Sequence, residues 1–193
     1  MPDTDPLPPL ARMLTGPPGA PLLGAAGVTA LIVLNYASVP GGGNILVLLA
    51  ALTAGSWVAI GWLARFAVGL ARADGRGGIR GHWVRWAAAP VIGLIVAGLT
   101  WSDLAFQARF AASRPGLESY ARSVEAGSEF DGWAGLYPVS SPERLGTHGV
   151  RFLVDGSGFI DRYGFAYLPG GAVEESGDYT HLDGPWYVWR WNW

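Results

Sequence analysis

The chain has 193 residues, of which 50% are hydrophobic and 15% charged, and it has no cysteine. Such a composition allows one or two domains, leans towards a membrane-embedded part, and excludes disulfides, thiolate metal sites and cysteine nucleophiles. Residues 1–102 hold six Arg against three Asp, net +3, while residues 103–193 hold seven Arg against twelve acidic residues, net −5; the acidic half repels phosphate backbones, so no nucleic-acid partner is expected.

Residues 1–21, rich in Pro and Gly, read as a disordered cytoplasmic tail. The chain turns apolar over residues 22–39. No A-x-A cleavage pattern follows, so this run is expected to be a first membrane span and not a removed signal peptide. Pro40, Gly41, Gly42, Gly43 and Asn44 make a tight uncharged turn into a second apolar run at 45–64, which gives an antiparallel hairpin. A third run, 87–101, carries no ionisable side chain and is framed by Trp83, Trp86 and Trp101 as interface anchors; Pro90 is expected in its first turn, where a missing N–H costs little.

Between the second and third runs, residues 65–86 hold Arg65, Arg72, Arg76, Arg80 and Arg85 against Asp74 alone. The positive-inside rule places this connector in the cytoplasm, with the N-terminus inside and the C-terminal part outside. Its glycines predict a flexible segment, and its arginines are candidate contacts for anionic lipid. Small residues recur four apart in the spans, as in Ala26 and Ala30 or Gly93 and Ala97, a spacing that allows close helix contact in lipid. No ionisable residue lies within any span, which disfavours an ion or proton pathway.

Beyond the third span the pattern changes. Leu104, Phe106 and Phe110 are expected to extend the span as a stalk. Ser113 is expected to cap a helix with Pro115 in its first turn. Leu117, Tyr120, Ala121 and Val124 form one apolar face, and Gly127 is the stop. Strand candidates rich in aromatic and β-branched residues follow at 133–139, 149–155, 159–167 and 186–191. Asp155-Gly156 marks a hairpin between the second and third of these, and Pro138 suggests that the first is an edge strand. The expectation is therefore three transmembrane helices plus a small α+β domain, an amphipathic helix packed on an antiparallel sheet of about four strands. The membrane region spans 22–102 and the extracytoplasmic domain 103–193.

The chemistry-bearing candidates lie near the end. His181 stands close to Asp178 and Asp183, and His148 lies at the far end of the domain sequence, but no metal-ligand spacing such as H-x-x-x-H is present. A hydrogen bond that orders a loop is the expected role of His181. The serines at 140, 141, 157 and 176 lack a G-x-S-x-G context, and no cofactor is expected. In the last strand, Tyr187, Trp189, Trp191 and Trp193 share one face, and Trp186, Val188 and Arg190 the other. The bland account is core packing with membrane-interface contact. The sharper one takes His181, Asp183, Trp186, Tyr187, Trp189 and Trp191 as a surface for a glycan or an envelope partner.

Gly164-Phe165-Ala166-Tyr167, followed by the run Tyr179-Thr180-His181-Leu182-Asp183-Gly184-Pro185-Trp186-Tyr187, resembles the C-terminal pattern of uncharacterised multi-span membrane proteins of high-GC actinobacteria. The resemblance covers about the last third of the chain and implies a few spans joined to such a tail, with no activity attached. On these grounds the chain is expected to be a multi-pass protein of a bacterial cell membrane and a non-enzymatic envelope interaction or sensing module. Its partners would be the lipid bilayer and a membrane protein, an envelope protein or a glycan. The alternatives are an accessory subunit of a larger membrane complex and an extracytoplasmic hydrolase.

Overall fold

The computed structural model describes residues 17–71, 73–127, 130–146, 149–171 and 178–191. The tail up to residue 16, Arg72, His148, Ser176 and Trp193 lie outside them. The elements in order are α1 (Ala20–Ala37), α2 (Ile45–Ala71), α3 (Ala73–Gly81), α4 (Trp83–Trp101), α5 (Leu104–Glu125), β1 (Gly132–Ala134), β2 (Tyr137–Arg144), β3 (Val150–Val154), β4 (Arg162–Tyr167), β5 (Tyr179–Asp183) and β6 (Trp186–Trp191). Residues cluster into two compact units, one from the chain up to Val33 with Leu49–Gly98, the other from Leu34–Leu48 with Leu99–Trp193.

In the first unit, α1, α2 and α4 are each long and apolar enough to cross a membrane. Helix α2 has 27 residues, about 40 Å at 1.5 Å per residue, so it outruns a hydrocarbon layer of about 30 Å and carries Arg65 in its last two turns. The glycine-rich connector is not irregular, as its sequence suggests: residues 73–81 form the short helix α3, with Ile79 lying against Gly69 of α2. Pro90 is also not in a first turn. It is the eighth residue of α4, so the Trp86 carbonyl four residues earlier lacks its helical N–H. The Trp62 indole of α2 donates to that carbonyl at 3.0 Å. Membrane helices keep internal prolines by just this kind of repair from a neighbour. Trp62, Phe66 and Trp86 close the joint, with ring centroids 5.0 to 6.3 Å apart.

The second unit is an antiparallel sheet of six strands, ordered β1-β2-β3-β4-β6-β5, with α5 on one face. The sheet exceeds the expected four for two reasons. The stretch 133–139 is a hairpin and not one strand, because Gly135, at φ 65, turns the chain between Ala134 and Tyr137. Asp183-Gly184 then turns β5 back on β6 in a second tight hairpin. The edge strands are accordingly β1 and β5, and Pro138 lies in β2, between β1 and β3.

Helix α5 runs unbroken through Pro115, and Ser113 does not cap it; buried in the helix, its hydroxyl accepts the Leu136 N–H at 3.1 Å. The stripe Phe110, Leu117, Tyr120, Ala121 and Val124 is buried against Tyr137, Val139, Phe152, Phe165 and Trp186. Gly116 is required there, because a Cβ would overlap the backbone of Gly135. Gly127, at φ 104, ends the helix, and its N–H (3.0 Å) and Arg144 Nε (2.7 Å) both donate to the Val124 carbonyl. On the opposite face of the sheet a smaller cluster forms from Leu153, Ala166, Leu168 and Trp189.

The turn between α1 and α2 belongs to this second unit. Arg109 of α5 donates to Asn35 Oδ1 (3.2 Å), Ser38 Oγ (2.9 Å) and the Leu136 carbonyl (2.6 Å), and its guanidinium lies 4.5 Å from the centre of the Tyr137 ring. The Tyr137 hydroxyl donates to the Ser38 carbonyl at 3.1 Å, and the Gly158 N–H to the Gly42 carbonyl at 2.6 Å. Gly41, at φ 68, is the point where the turn meets the Tyr163 ring, which leaves no room for a side chain. Asn44 then caps α2 by accepting the Leu46 N–H at 2.9 Å.

Candidate functional site

Strands β5 and β6 bring the sequence candidates together, but the sheet divides them. Side chains of β6 alternate between faces, so Trp186 and Val188 turn towards α5 while Tyr187 and Trp189 turn away. Trp186 is fully buried among Phe110, Phe152 and Phe165 and offers no surface to a ligand. Trp189 is nearly as buried: its indole donates to the Phe152 carbonyl at 3.1 Å across Gly164, where a Cβ would displace it. Trp191 remains 40% exposed.

Behind the sheet, on the face away from α5, Arg151 is the organising side chain. Its guanidinium stacks 4.4 Å from the Trp189 ring and donates to Glu143 through Nε (2.8 Å), with Nη1 3.2 Å from the Tyr179 hydroxyl. Burial pulls the guanidinium pKa down, and the Glu143 and Tyr179 contacts more than restore it, so the group is held firmly charged. A hollow of about 410 Å³ opens here, with Glu143, Arg151, Tyr179 and Trp191 among its walls. Arg151 is paired with Glu143, and Arg190 lies 3.8 Å from Asp178 while its Nε is buried without a hydrogen-bond partner among the described residues.

The second hollow lies between α5 and β5. It is a cleft of about 790 Å³ whose walls include Phe106, Gln107, Phe110, Arg114, His181 and Asp183. His181 Nε2 donates to the Gly184 carbonyl at 3.0 Å, and the ring rests edge-on against Tyr187, so the imidazole orders the β5–β6 turn. Asp183 pairs with Arg114 at 2.5 Å, and Arg114 also meets Glu118 at 3.4 Å. A neighbouring hollow of about 470 Å³ shares Asp103, Phe106 and Leu182 with the cleft and reaches Tyr36, Val39 and Pro40 of the α1–α2 turn. The two hollows thus adjoin, one beside His181 and Asp183 and the other at the connection between the first two helices. Aromatic faces beside a few convergent polar groups are the usual make-up of a small-ligand site.

Of the sequence candidates, His181 and Asp183 line the cleft, Trp189 and Trp191 the outer hollow, Tyr187 lies on the outer face, and Trp186 belongs to the core. Arg65, Arg76, Arg80 and Arg85 are carried by α2, α3 and α4. Sequence reading did not single out Arg109, Gln107, Arg114 or Arg151. A second Asp-Gly pair, at 183–184, was the available signal for β5, and with it for the strand that walls the cleft.

No protein-family model, no curated protein and no solved structure matches this chain.

Proposed function

We propose that this chain is a multi-pass protein of a bacterial cell membrane whose C-terminal domain lies outside the cytoplasm and works as a ligand-binding or sensing module, not as an enzyme. The observation that carries the reading is that the α5–β5 cleft adjoins a hollow at the α1–α2 turn, the two sharing Asp103, Phe106 and Leu182. A ligand seated between α5 and β5 would touch Asp103, Phe106 and Leu182, which also wall the hollow at the α1–α2 turn, and through them would bear on the connection between two candidate spans. Ligands act on a conformation only through such differential contacts.

The orientation rests on charge. The α1–α2 turn and the C-terminal domain belong to one unit, which supports a placement of both on the same side of the bilayer. Arg65, Arg76, Arg80 and Arg85 cluster on the other connector, which the positive-inside rule assigns to the cytoplasm. The same assignment puts the N-terminus inside. The resemblance to actinobacterial membrane proteins agrees with this arrangement. A reporter enzyme that works only in the cytosol, fused after residue 193, is expected to be silent, and activity from it would reverse the orientation.

The ligand class that best fits the cleft is a glycan or glycopeptide fragment of the envelope. Phe106 and Phe110 offer apolar faces for a sugar ring, and Gln107, Arg114 and His181 surround them with hydrogen-bonding groups. Soluble peptidoglycan fragments titrated into the full chain in detergent are expected to change tryptophan emission in a saturable way, since Trp186 packs against Phe110 with ring centroids 6.2 Å apart. A Gln107→Ala/Arg114→Ala variant should lose that response. No saturation, or turnover of the fragments by the wild-type chain, would overturn the reading.

A further inference from the structure

The first unit contains a cavity of about 390 Å³ between α1, α2 and α4, and its wall is almost wholly apolar. Each helix contributes a pair of small residues four apart: Ala26 and Ala30, Gly55 and Ala59, Ala89 and Gly93. Side chains four apart on a helix share a face, so three small faces meet around one space and leave it open. We propose that this space holds one acyl chain of an anionic phospholipid whose headgroup is bound by Arg65 and Arg85.

Size argues for a chain-shaped occupant. The stretch of helix that lines the cavity is about eight residues long, or about 12 Å. A flexible chain can follow an apolar groove of that length between the three helix faces. Water is a poor occupant, because a buried molecule needs two to four polar partners and Thr29 is the one hydroxyl on the wall.

Charge argues for the headgroup. Arg65 lies three residues beyond Trp62, which lines the cavity, and Arg85 lies four residues before Ala89, which also does. Both spacings stay on one helix face, so both guanidinium stems start about one turn from the same end of the space and can reach outward to a headgroup. No acidic residue lies in α1, α2 or α4 to compete for them. Each arginine near a lipid surface favours an anionic over a zwitterionic headgroup about fivefold, so the pair predicts about a thirtyfold preference.

The test uses the full chain, stripped of lipid in a non-ionic detergent and titrated with phosphatidylglycerol or phosphatidylcholine of identical chains, with bound lipid counted by native mass spectrometry. One phosphatidylglycerol per chain is expected, at concentrations about thirtyfold below those needed for phosphatidylcholine. Gly93→Leu should abolish it: a Cβ at that position meets nothing within 4 Å, so the new side chain grows into open space and not into a neighbour. Arg65→Gln/Arg85→Gln should keep one bound lipid and lose the headgroup preference. If Gly93→Leu does not fold, phosphatidylglycerol with brominated chains must quench the part of the wild-type emission that Trp62→Phe removes. Retention of lipid by folded Gly93→Leu, equal binding of the two headgroups, a second copy of the chain bound in place of lipid, or absence of that quenching would each overturn the proposal.

Discussion

Trp62 donates its indole N–H to the carbonyl of Trp86, the acceptor that Pro90 leaves without a helical partner. The pairing predicts a specific non-additivity. Trp62→Phe should destabilise the chain in detergent by about 1 kcal/mol, the scale of one hydrogen bond between membrane helices. In a Pro90→Ala background residue 90 regains its N–H, the Trp86 carbonyl is satisfied within α4, and the same substitution should cost only its lost ring packing. Denaturant titrations of the four variants measure the coupling, and strictly additive effects would show that the bond does no more than accompany the aromatic contact.

Arg109 predicts how the α1–α2 turn is held. Three acceptors and the Tyr137 ring converge on one guanidinium, a geometry that the flexible ammonium of lysine cannot reproduce. Arg109→Lys should therefore loosen the turn although the charge is kept, at a cost of about 1–2 kcal/mol after allowance for partial exposure. Amide hydrogen exchange is expected to quicken at residues 38–44 and to stay unchanged in β3 and β4. Uniform quickening across the sheet would mean that Arg109 supports the fold as a whole and not the turn.

Tyr137 predicts an alkaline limb of stability. Burial raises its phenol pKa far above the ordinary value of 10.0, against the opposing pull of Arg109. In the unfolded chain the phenol releases its proton near pH 10, and in the folded chain it does not. The folded state thus binds more protons above pH 10, and its stability falls as pH rises through that range, by about 1.4 kcal/mol per unit for one proton. Tyr137→Phe should flatten the fall of the denaturation midpoint between about pH 10 and 11.5. It should leave a residual slope from Tyr120, which burial and then Asp131 and Asp155 also shift upward. An unchanged slope would mean that the phenol is open to solvent.

These residues also mark how far the sequence could be read. The apolar face Leu117, Tyr120, Ala121 and Val124 was legible, because helical spacing alone puts those side chains on the buried side of α5. The hairpin after Val154 was legible from Asp155-Gly156, but the same dipeptide at 183–184 is followed by Pro185, and β5 passed unnoticed. The stretch 133–139 reads as one strand because Trp133, Leu136, Tyr137 and Val139 are all apolar, which hides the change of phase that the two-residue turn makes between Ala134 and Tyr137. Arg109 could not have been found, since its partners lie 74 and 71 positions away and nothing local requires a guanidinium there. The depth of Pro90 in α4 is hidden from the sequence for the same reason: whether a proline is tolerable inside a helix depends on a neighbour such as Trp62, which only the packed helices reveal.

The outer face of the sheet yields the last prediction, through Gly164. This glycine lies opposite Trp189 in the β4–β6 register, and the bare backbone lets the indole cross to the Phe152 carbonyl in β3 while Arg151 stacks on its other side. A methyl group at 164 would overlap both the Phe152 carbonyl and the indole. Gly164→Ala should therefore expel the ring, leave the Phe152 carbonyl without its indole donor and release Arg151 from its platform, at a cost of about 2–4 kcal/mol. The loss should appear as a lower melting temperature together with a red shift of tryptophan emission. Adding Trp189→Ala should recover part of the stability, because a small side chain no longer competes with the methyl group for the same space. If Gly164→Ala melts and emits as the wild type does, then the ring is not held across that glycine, and the bracing of Arg151 must come from Glu143 and Tyr179 alone.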